Sequence, residues 1–140
     1  MPQPAGYSGK SLIEKIGLKP LEVLAVIRAP EDYPRLVAPL PIGAEVREVE
    51  VGGDVAGAAV IHLFVRSQAE LDRDGPALAA AAPDGAALWI SWPKKASPLF
   101  CGVTEDDIRT VLLPTGWVDV KVAAVDPDWS GLKLLRRRRK

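Results

Sequence analysis

The sequence contains very few of the side chains that bind metals or form disulfides. Among its 140 residues there is one cysteine, Cys101, and one histidine, His62. A disulfide within one chain needs two cysteines, and a tetrahedral zinc site needs more ligands than one Cys and one His supply. We therefore expect no metal and a reducing compartment. Cys101 is predicted to be a partly buried, unreactive thiol, and His62 to be an interior histidine with satisfied hydrogen bonds.

Motifs that hold phosphate or activate a serine are also missing. The patterns GxxxxGK[ST], GxGxxG and GxSxG do not occur, and Gly9-Lys10-Ser11 lacks the upstream glycine and the preceding strand of a P-loop. No stretch approaches the ~20 apolar residues of a membrane helix, and the N-terminus lacks the pattern of a signal peptide. These absences predict no cofactor, no membrane partner and a soluble, cytoplasmic protein.

The charges balance overall but are unevenly placed. There are 18 basic and 18 acidic residues, and the last five residues are all basic, so the rest of the chain has a net charge of about −5. A net acidic body disfavours a nucleic-acid-binding surface across the domain. One hypothesis remains, in which the tail makes non-specific contacts with nucleic acid or an acidic partner. Its residues are Arg136, Arg137, Arg138, Arg139 and Lys140.

One apolar stretch organises the chain. It begins at Ala86 and contains Leu88, Trp89, Ile90 and Trp92 before Pro93, Lys94 and Lys95. A nearly continuous apolar run is typical of a strand that is covered on both faces. Proline has no backbone N–H, so the strand should end at Pro93. The two lysines would then lie at the carboxyl end of a central strand, the edge where open α/β sheets bind ligands.

Strands and helices alternate along the rest of the chain. Continuous or alternating apolar runs predict further strands, and capping boxes at Ser11, Ser67 and Thr104 predict helix starts. A kink or a break is expected at Gly75-Pro76 in the helix after Ser67. The strands are predicted at 23–27, 46–51, 58–65, 86–92, 118–125 and 132–135.

This alternation predicts an α/β fold. We expect a single three-layer domain with a mostly parallel, Rossmann-like sheet of five to six strands and a C-terminal antiparallel strand. The predicted boundaries are a flexible leader at 1–7, the domain at 8–135 and a basic tail at 136–140.

Seven segments of the chain carry a resemblance to a known family. They are Tyr7-Ser8-Gly9-Lys10, Leu18-Lys19-Pro20, Ala29-Pro30-Glu31-Asp32-Tyr33, His62-Leu63-Phe64-Val65, Trp92-Pro93-Lys94-Lys95, Val118-Asp119-Val120-Lys121-Val122 and Trp129-Ser130-Gly131-Leu132-Lys133. Together they resemble a bacterial family of small uncharacterised proteins, the domain of unknown function numbered 3052. The resemblance covers roughly residues 7 to 136, and it implies no activity, because none is established for that family. Two departures stand out: Arg28 where asparagine is usual, and residues 96–101 where serines and glycine are usual.

The end of the chain is similar in layout to S-adenosylmethionine-dependent methyltransferase domains. The similar part is a helix, Gly116-Trp117, a strand, a turn and a returning strand. That layout implies the strand order 2-1-3-4-6-5 with the last strand antiparallel. The turn after the first strand departs from it, because Arg28-Ala29-Pro30 has no glycine to let the backbone approach a ligand.

These features support several functional hypotheses. The first is a non-catalytic binding or interaction module that accepts an anionic small molecule at the carboxyl ends of the strands. Its candidate ligand-binding residues are Lys94, Lys95, Trp129, Ser130 and Lys10, with lysines as point charges and Trp129 as either a wall or a core residue. The second is a small enzyme, a degenerate methyltransferase-like transferase that uses a nucleoside-containing cofactor. The third is an adaptor that acts through its basic tail.

Overall fold

The computed structural model describes residues 11–137. The predicted leader, Lys10 and Arg138 to Lys140 lie outside these residues. The helices are α1 (Leu12–Ile16), α2 (Tyr33–Leu36), α3 (Gln68–Ala81) and α4 (Glu105–Leu112), followed by a 3-10 turn at Leu113–Thr115. The strands are β1 (Val23–Ile27), β2 (Glu45–Glu48), β3 (Val60–Phe64), β4 (Ala87–Pro93), β5 (Trp117–Ala124) and β6 (Trp129–Arg136).

The six strands form one mixed sheet in the order β2-β1-β3-β4-β6-β5. Strand β1 pairs in parallel with β2 and β3, and β3 pairs in parallel with β4. Strand β6 runs antiparallel to both of its neighbours, β4 and β5. The predicted fold class is therefore confirmed, and the strand order is the one that the layout implied.

Strand β4 is the buried strand that the sequence predicted, because all seven of its residues are buried. Leu88 and Ile90 contribute to the core beneath α3 and α4, whereas Trp89 lies in the core beneath α1 and α2. The alternation follows from the two-residue period of a strand, which points successive side chains to opposite faces. The sheet is therefore the middle of three layers.

The helices begin and end where local hydrogen bonding directs them. Ser11 and Thr104 form the predicted capping boxes, and the Ser67 hydroxyl accepts a hydrogen bond from the Glu70 backbone. Helix α3 remains one continuous helix across Gly75 and Pro76, so the break considered from the sequence does not occur. A Cβ at Gly75 would lie 3.1 Å from Leu112 Cδ2, which shows how closely α3 and α4 pack.

Two strands differ from the prediction by three residues at one end, and the others agree to within two residues at each end. Strand β2 ends at Glu48 because residues 51 and 52 form a turn. Strand β6 begins at Trp129, three residues earlier than expected, because Ser130 and Gly131 pair with Trp92 and Ser91 of β4. Within residues 11–137 no helix has the length and apolar character required to cross a membrane.

Candidate functional site

The end of β4 fixes the position of Lys94 and Lys95, the two lysines that were predicted to bind a ligand. Pro93 is the last residue of β4 and lies opposite Trp129. The next backbone N–H, that of Lys94, donates to the carbonyl of Asp128 over 2.8 Å. The lysines therefore begin at the carboxyl edge of the sheet, where ligands bind in open α/β folds.

A buried serine orders the loop that follows. Ser97 is 7% exposed, and its hydroxyl donates to Asp128 Oδ1 at 2.8 Å. The Ser97 hydroxyl oxygen also accepts the Leu99 backbone N–H at 3.0 Å, and the Ser97 N–H donates to the Lys94 carbonyl at 3.0 Å. The loop after the lysines is thus tied to the turn between β5 and β6.

The turn that holds Asp128 is itself fixed by Asp126. Its carboxylate accepts the backbone N–H groups of Asp128 at 2.7 Å and Trp129 at 2.8 Å. Burial raises the pKa of Asp126 above its usual value, and the nearby Asp128 and Asp32 charges add to the rise, while the two backbone hydrogen bonds oppose it. Asp126 is therefore a structural group that positions the start of β6.

Three of the predicted residues meet in one cleft of about 410 Å³ beside the start of α4. They are Lys94, Lys95 and Ser130. Trp92 and Val103 are almost fully buried and line the same cleft. The remaining lining residues come from the first turn of α4 and its cap, and they are Thr104, Glu105 and Asp106. We call this space the lysine cleft.

The acidic residues of the lysine cleft share one cationic partner, Arg109. Glu105 and Asp106 both pair with Arg109, at 2.5 Å and 3.3 Å, and Asp107 Oδ2 accepts the Thr104 backbone N–H at 2.8 Å. Within residues 11–137, no carboxylate lies within 4 Å of the side-chain nitrogen of Lys94 or Lys95. The cleft therefore combines two lysines that have no salt bridge in this part of the chain with two carboxylates that share Arg109 with Asp119.

Lys15 adds positive charge near Lys94 and was not among the predicted site residues. Its ammonium donates to the carbonyl of Ala124 over 2.8 Å, and the residue is 6% exposed. Burial lowers the pKa of Lys15, and the charges of Lys94 and Lys121 lower it further. Lys10 was the predicted site residue in this region. Lys15 was missed because nothing in the short helix α1 distinguishes it from a surface lysine.

Trp129 lies in the core and does not line the lysine cleft. It is 2% exposed, its ring meets that of Phe64 edge to face at a centroid distance of 5.0 Å, and the Arg66 guanidinium lies 5.1 Å from its ring centroid. Of the two roles considered from the sequence, a wall of the site or a core residue, Trp129 has the second. Two residues further on, β6 passes close to the Trp89 ring, because a Cβ at Gly131 would lie 3.1 Å from it.

His62 is an interior histidine whose two ring nitrogens are both engaged. Nδ1 lies 2.9 Å from the Tyr33 hydroxyl and Nε2 lies 2.6 Å from the Ser91 hydroxyl. Burial lowers the pKa of His62 from 6.5 to about 3, so the ring is neutral. His62 therefore does not activate Cys101, which is exposed, in contrast to the partly buried thiol that we expected. Within residues 11–137 no cluster of His, Cys, Asp or Glu side chains could hold a metal ion.

The first residue of the basic tail belongs to the folded domain. Arg136 is the last residue of β6, and its guanidinium pairs with Asp84 at 2.9 Å and donates to the carbonyls of Ala79 and Ala82 at the end of α3. The backbone N–H of Arg137 donates to the carbonyl of Gly116. Arg136 therefore holds the end of α3, and the hypothesis of a binding tail applies to the residues that follow.

A second cleft, of about 560 Å³, lies at the ends of β1 and β2 and is lined by residues 26–29 and 48–51. Arg28 follows β1 directly and has a φ of 60°, a left-handed conformation that is uncommon for a residue other than glycine. Its side chain turns to α3 and pairs with Asp74 over 2.6 Å. The turn therefore carries a large, fixed side chain where dinucleotide-binding folds have glycine.

Comparison with solved structures finds the same fold in methyltransferases. A SAM-dependent methyltransferase from Aquifex aeolicus is 12% identical, with a TM-score of 0.58, over 92% of this chain and 89% of that one. The magnesium protoporphyrin IX methyltransferase of Synechocystis, with bound SAM, is 13% identical, with a TM-score of 0.58, over 89% and 74%. An O-methyltransferase family 2 protein from Planctomyces limnophilus is 14% identical, with a TM-score of 0.60. The match covers 95% of this chain and 53% of that one.

At such identities the likeness shows the fold alone. No family model matches this chain, and no curated protein matches it. The structure therefore has a methyltransferase-like α/β fold. The residues at the turn after β1 do not fit a nucleoside-containing cofactor, because Arg28 and Ala29 stand where such a ligand needs close backbone approach.

Proposed function

We propose that this protein is a binding module for an anionic small molecule and that the lysine cleft holds the anion. The single observation that carries the proposal is the pair Lys94 and Lys95, which line the cleft with Ser130 and have no salt bridge within residues 11–137. The resemblance to the family of unknown function 3052 is part of the proposal, since Trp92-Pro93-Lys94-Lys95 and Trp129-Ser130-Gly131 are the segments that build this edge.

The surroundings of the lysines suit an anion. The apolar side chains of Trp92 and Val103 exclude water from one side, which strengthens a charged contact relative to one in bulk solvent. Ser130 supplies a hydroxyl donor, and the ordered loop limits the entropy lost when the lysines are held by a ligand. Glu105 and Asp106 would repel an anion, and Arg109, which also pairs with Asp119 at 2.9 Å, offsets only part of their negative charge.

The alternative, a transferase with a nucleoside-containing cofactor, is supported by the fold and by Glu48. This residue lines the cleft at the end of β2, twenty positions after Arg28, about the spacing at which an acidic residue holds a ribose hydroxyl in dinucleotide-binding folds. The turn at Arg28 opposes that function. We therefore favour the anion-binding module.

The proposal is tested by the change in melting temperature that anions produce. The protein is mixed with millimolar inorganic phosphate, citrate and a panel of anionic metabolites at low salt. At least one anion should raise the melting temperature, since a ligand that binds only the folded state stabilises it. The double variant Lys94→Ala/Lys95→Ala should lose the response, with an affinity at least about 100-fold lower if each charged contact contributes about 1.5 kcal/mol.

A matched control removes two positive charges elsewhere. The variant Lys19→Ala/Arg35→Ala has the same change in net charge, and both residues are exposed outside the cleft. It should keep the response of the unmodified protein. A response that is unchanged in the Lys94→Ala/Lys95→Ala variant, or absent from the unmodified protein for every anion, would remove the proposal.

A further inference from the structure

The strand order defines one crevice at which a ligand is expected. Strand β2 lies on one side of β1 and β3 lies on the other, so the connections after β1 and β3 leave in opposite directions. In open α/β sheets such a switch point, at the carboxyl ends of the strands, is the usual ligand site. Here it lies between the ends of β1 and β3.

Arg28 fills the side of this crevice that belongs to β1. Its Nη1 lies 2.6 Å from Asp74 Oδ2 and its Nε lies 3.5 Å from Glu70 Oε2. The side chain of Asp74 is only 4% exposed, and that of Arg28 is 19% exposed. Asp74 also pairs with Arg73, whose Nε lies 2.9 Å from Asp74 Oδ1, so this buried carboxylate has two cationic partners and anchors the Arg28 side chain as one of them.

Arg66, an exposed residue, borders the crevice on the side of β3. Its Nη1 donates to the carbonyl of Arg28 at 3.1 Å, which ties the ends of the two strands together. Its backbone N–H donates to Glu70 Oε1 at 2.7 Å, at the start of α3. The Arg66 guanidinium also lies over Trp129, so it packs against the core. We call Arg28, Arg66, Glu70 and Asp74 the switch-point network.

We infer that the switch-point network occupies this crevice and that its residues do not fit a nucleoside-containing cofactor in this methyltransferase-like chain. The main chain at Arg28 cannot approach a ligand as a glycine turn does, because its side chain and carbonyl are both committed to partners. The two carboxylates of α3 beside this crevice, Glu70 and Asp74, are committed to arginines. This inference does not depend on the lysine cleft.

The test combines calorimetry with thermal unfolding. The unmodified protein is titrated with millimolar S-adenosylmethionine and S-adenosylhomocysteine, and no heat of binding is expected. Arg28→Ala removes one of the two arginines that pair with Asp74, and the loss of that charge-assisted hydrogen bond should lower the melting temperature by about 5 °C or more. Arg28→Gly also loses the ion pairs but relieves the left-handed backbone, so it should melt above Arg28→Ala. Arg35→Ala is the control, because Arg35 pairs only at the surface and its loss should leave the melting temperature unchanged.

Two results would overturn the inference. Binding of either nucleoside ligand to the unmodified protein overturns the inference, whatever the variants do. Absence of binding together with an unchanged melting temperature in Arg28→Ala also overturns it, because the network would then not hold Arg28 in the crevice. If Arg28→Ala does not fold, Arg28→Lys is measured instead. It keeps the charge and should melt at a lower temperature than the unmodified protein. A melting temperature equal to that of the unmodified protein would show that the forked guanidinium is not needed, which contradicts the inference.

Discussion

Replacing His62 with glutamine should change how the stability of the protein depends on pH. His62 is the only histidine, is fully buried, and is neutral because burial lowers its pKa to about 3. In the unfolded chain the same ring titrates near its ordinary value of about 6.5. Between these two values the unfolded state binds a proton that the folded state does not. Stability conferred by the neutral ring is therefore complete above pH 6.5 and is lost as the pH falls.

The pH dependence of the unfolding free energy follows from the one proton that the His62 ring binds on unfolding. Linkage gives a loss of about 1.4 kcal/mol for each pH unit below the unfolded pKa, or about 2.5 kcal/mol between pH 6.5 and 4.5. Glutamine does not titrate, so His62→Gln should lack this component. It should also be less stable at pH 7.5 by about 2–4 kcal/mol, because the hydrogen bonds to Tyr33 and Ser91 and the stacking on Phe64 at 4.3 Å are disturbed.

The assay is urea unfolding followed by tryptophan fluorescence at four pH values from 7.5 to 4.5. The difference in unfolding free energy between the two proteins should shrink as the pH falls. Asp126 contributes with the opposite sign, because its raised pKa favours the folded state at lower pH, but it is present in both proteins and cancels in the difference. A difference that stays constant over this range would refute a neutral, buried His62.

Three further predictions concern the frame of the site. Gly131→Ala should destabilise the protein by about 1–3 kcal/mol in urea unfolding, because the new Cβ meets the rigid, buried Trp89 ring at 3.1 Å; unchanged stability would contradict that contact. Ser97→Ala should cost about 1–2 kcal/mol and speed amide exchange at Leu99, since it removes the hydroxyl that bonds Asp128 and Leu99; exchange at the unmodified rate would count against the ordered loop. Cys101 should react with a thiol reagent at one equivalent per folded chain, because it is exposed, and a thiol that reacts only after denaturation would contradict its placement.

The sheet was predictable because its strands carry strong local signals. The apolar runs of β3 and β4 are continuous since both faces of each strand are covered, and every residue of both is buried. The helix starts were predictable because a capping box joins residues only three positions apart. The start of β6 was missed because Ser130 and Gly131 have low strand preference and form a strand only through pairing with β4.

The candidate site was predicted in part for the same reason. Lys94 and Lys95 follow a buried strand directly, so their position at the sheet edge could be inferred, and Ser130 lies opposite Trp92. The partners that determine the electrostatics are distant in sequence and carry no local signal. Arg28 meets Asp74 across 46 positions, and Lys15 approaches Lys94 only because α1 packs on the sheet. Such contacts follow from tertiary packing, which no short pattern encodes.

Mass spectrometry of small molecules that copurify with the native protein tests the anion-binding proposal most directly. The same extraction is applied to the unmodified protein and to the Lys94→Ala/Lys95→Ala variant. We predict that at least one anionic molecule is recovered from the unmodified protein and is lost from the variant. Recovery of the same anion in equal amounts from both proteins, or of none from the unmodified protein, would contradict a lysine cleft that binds anions.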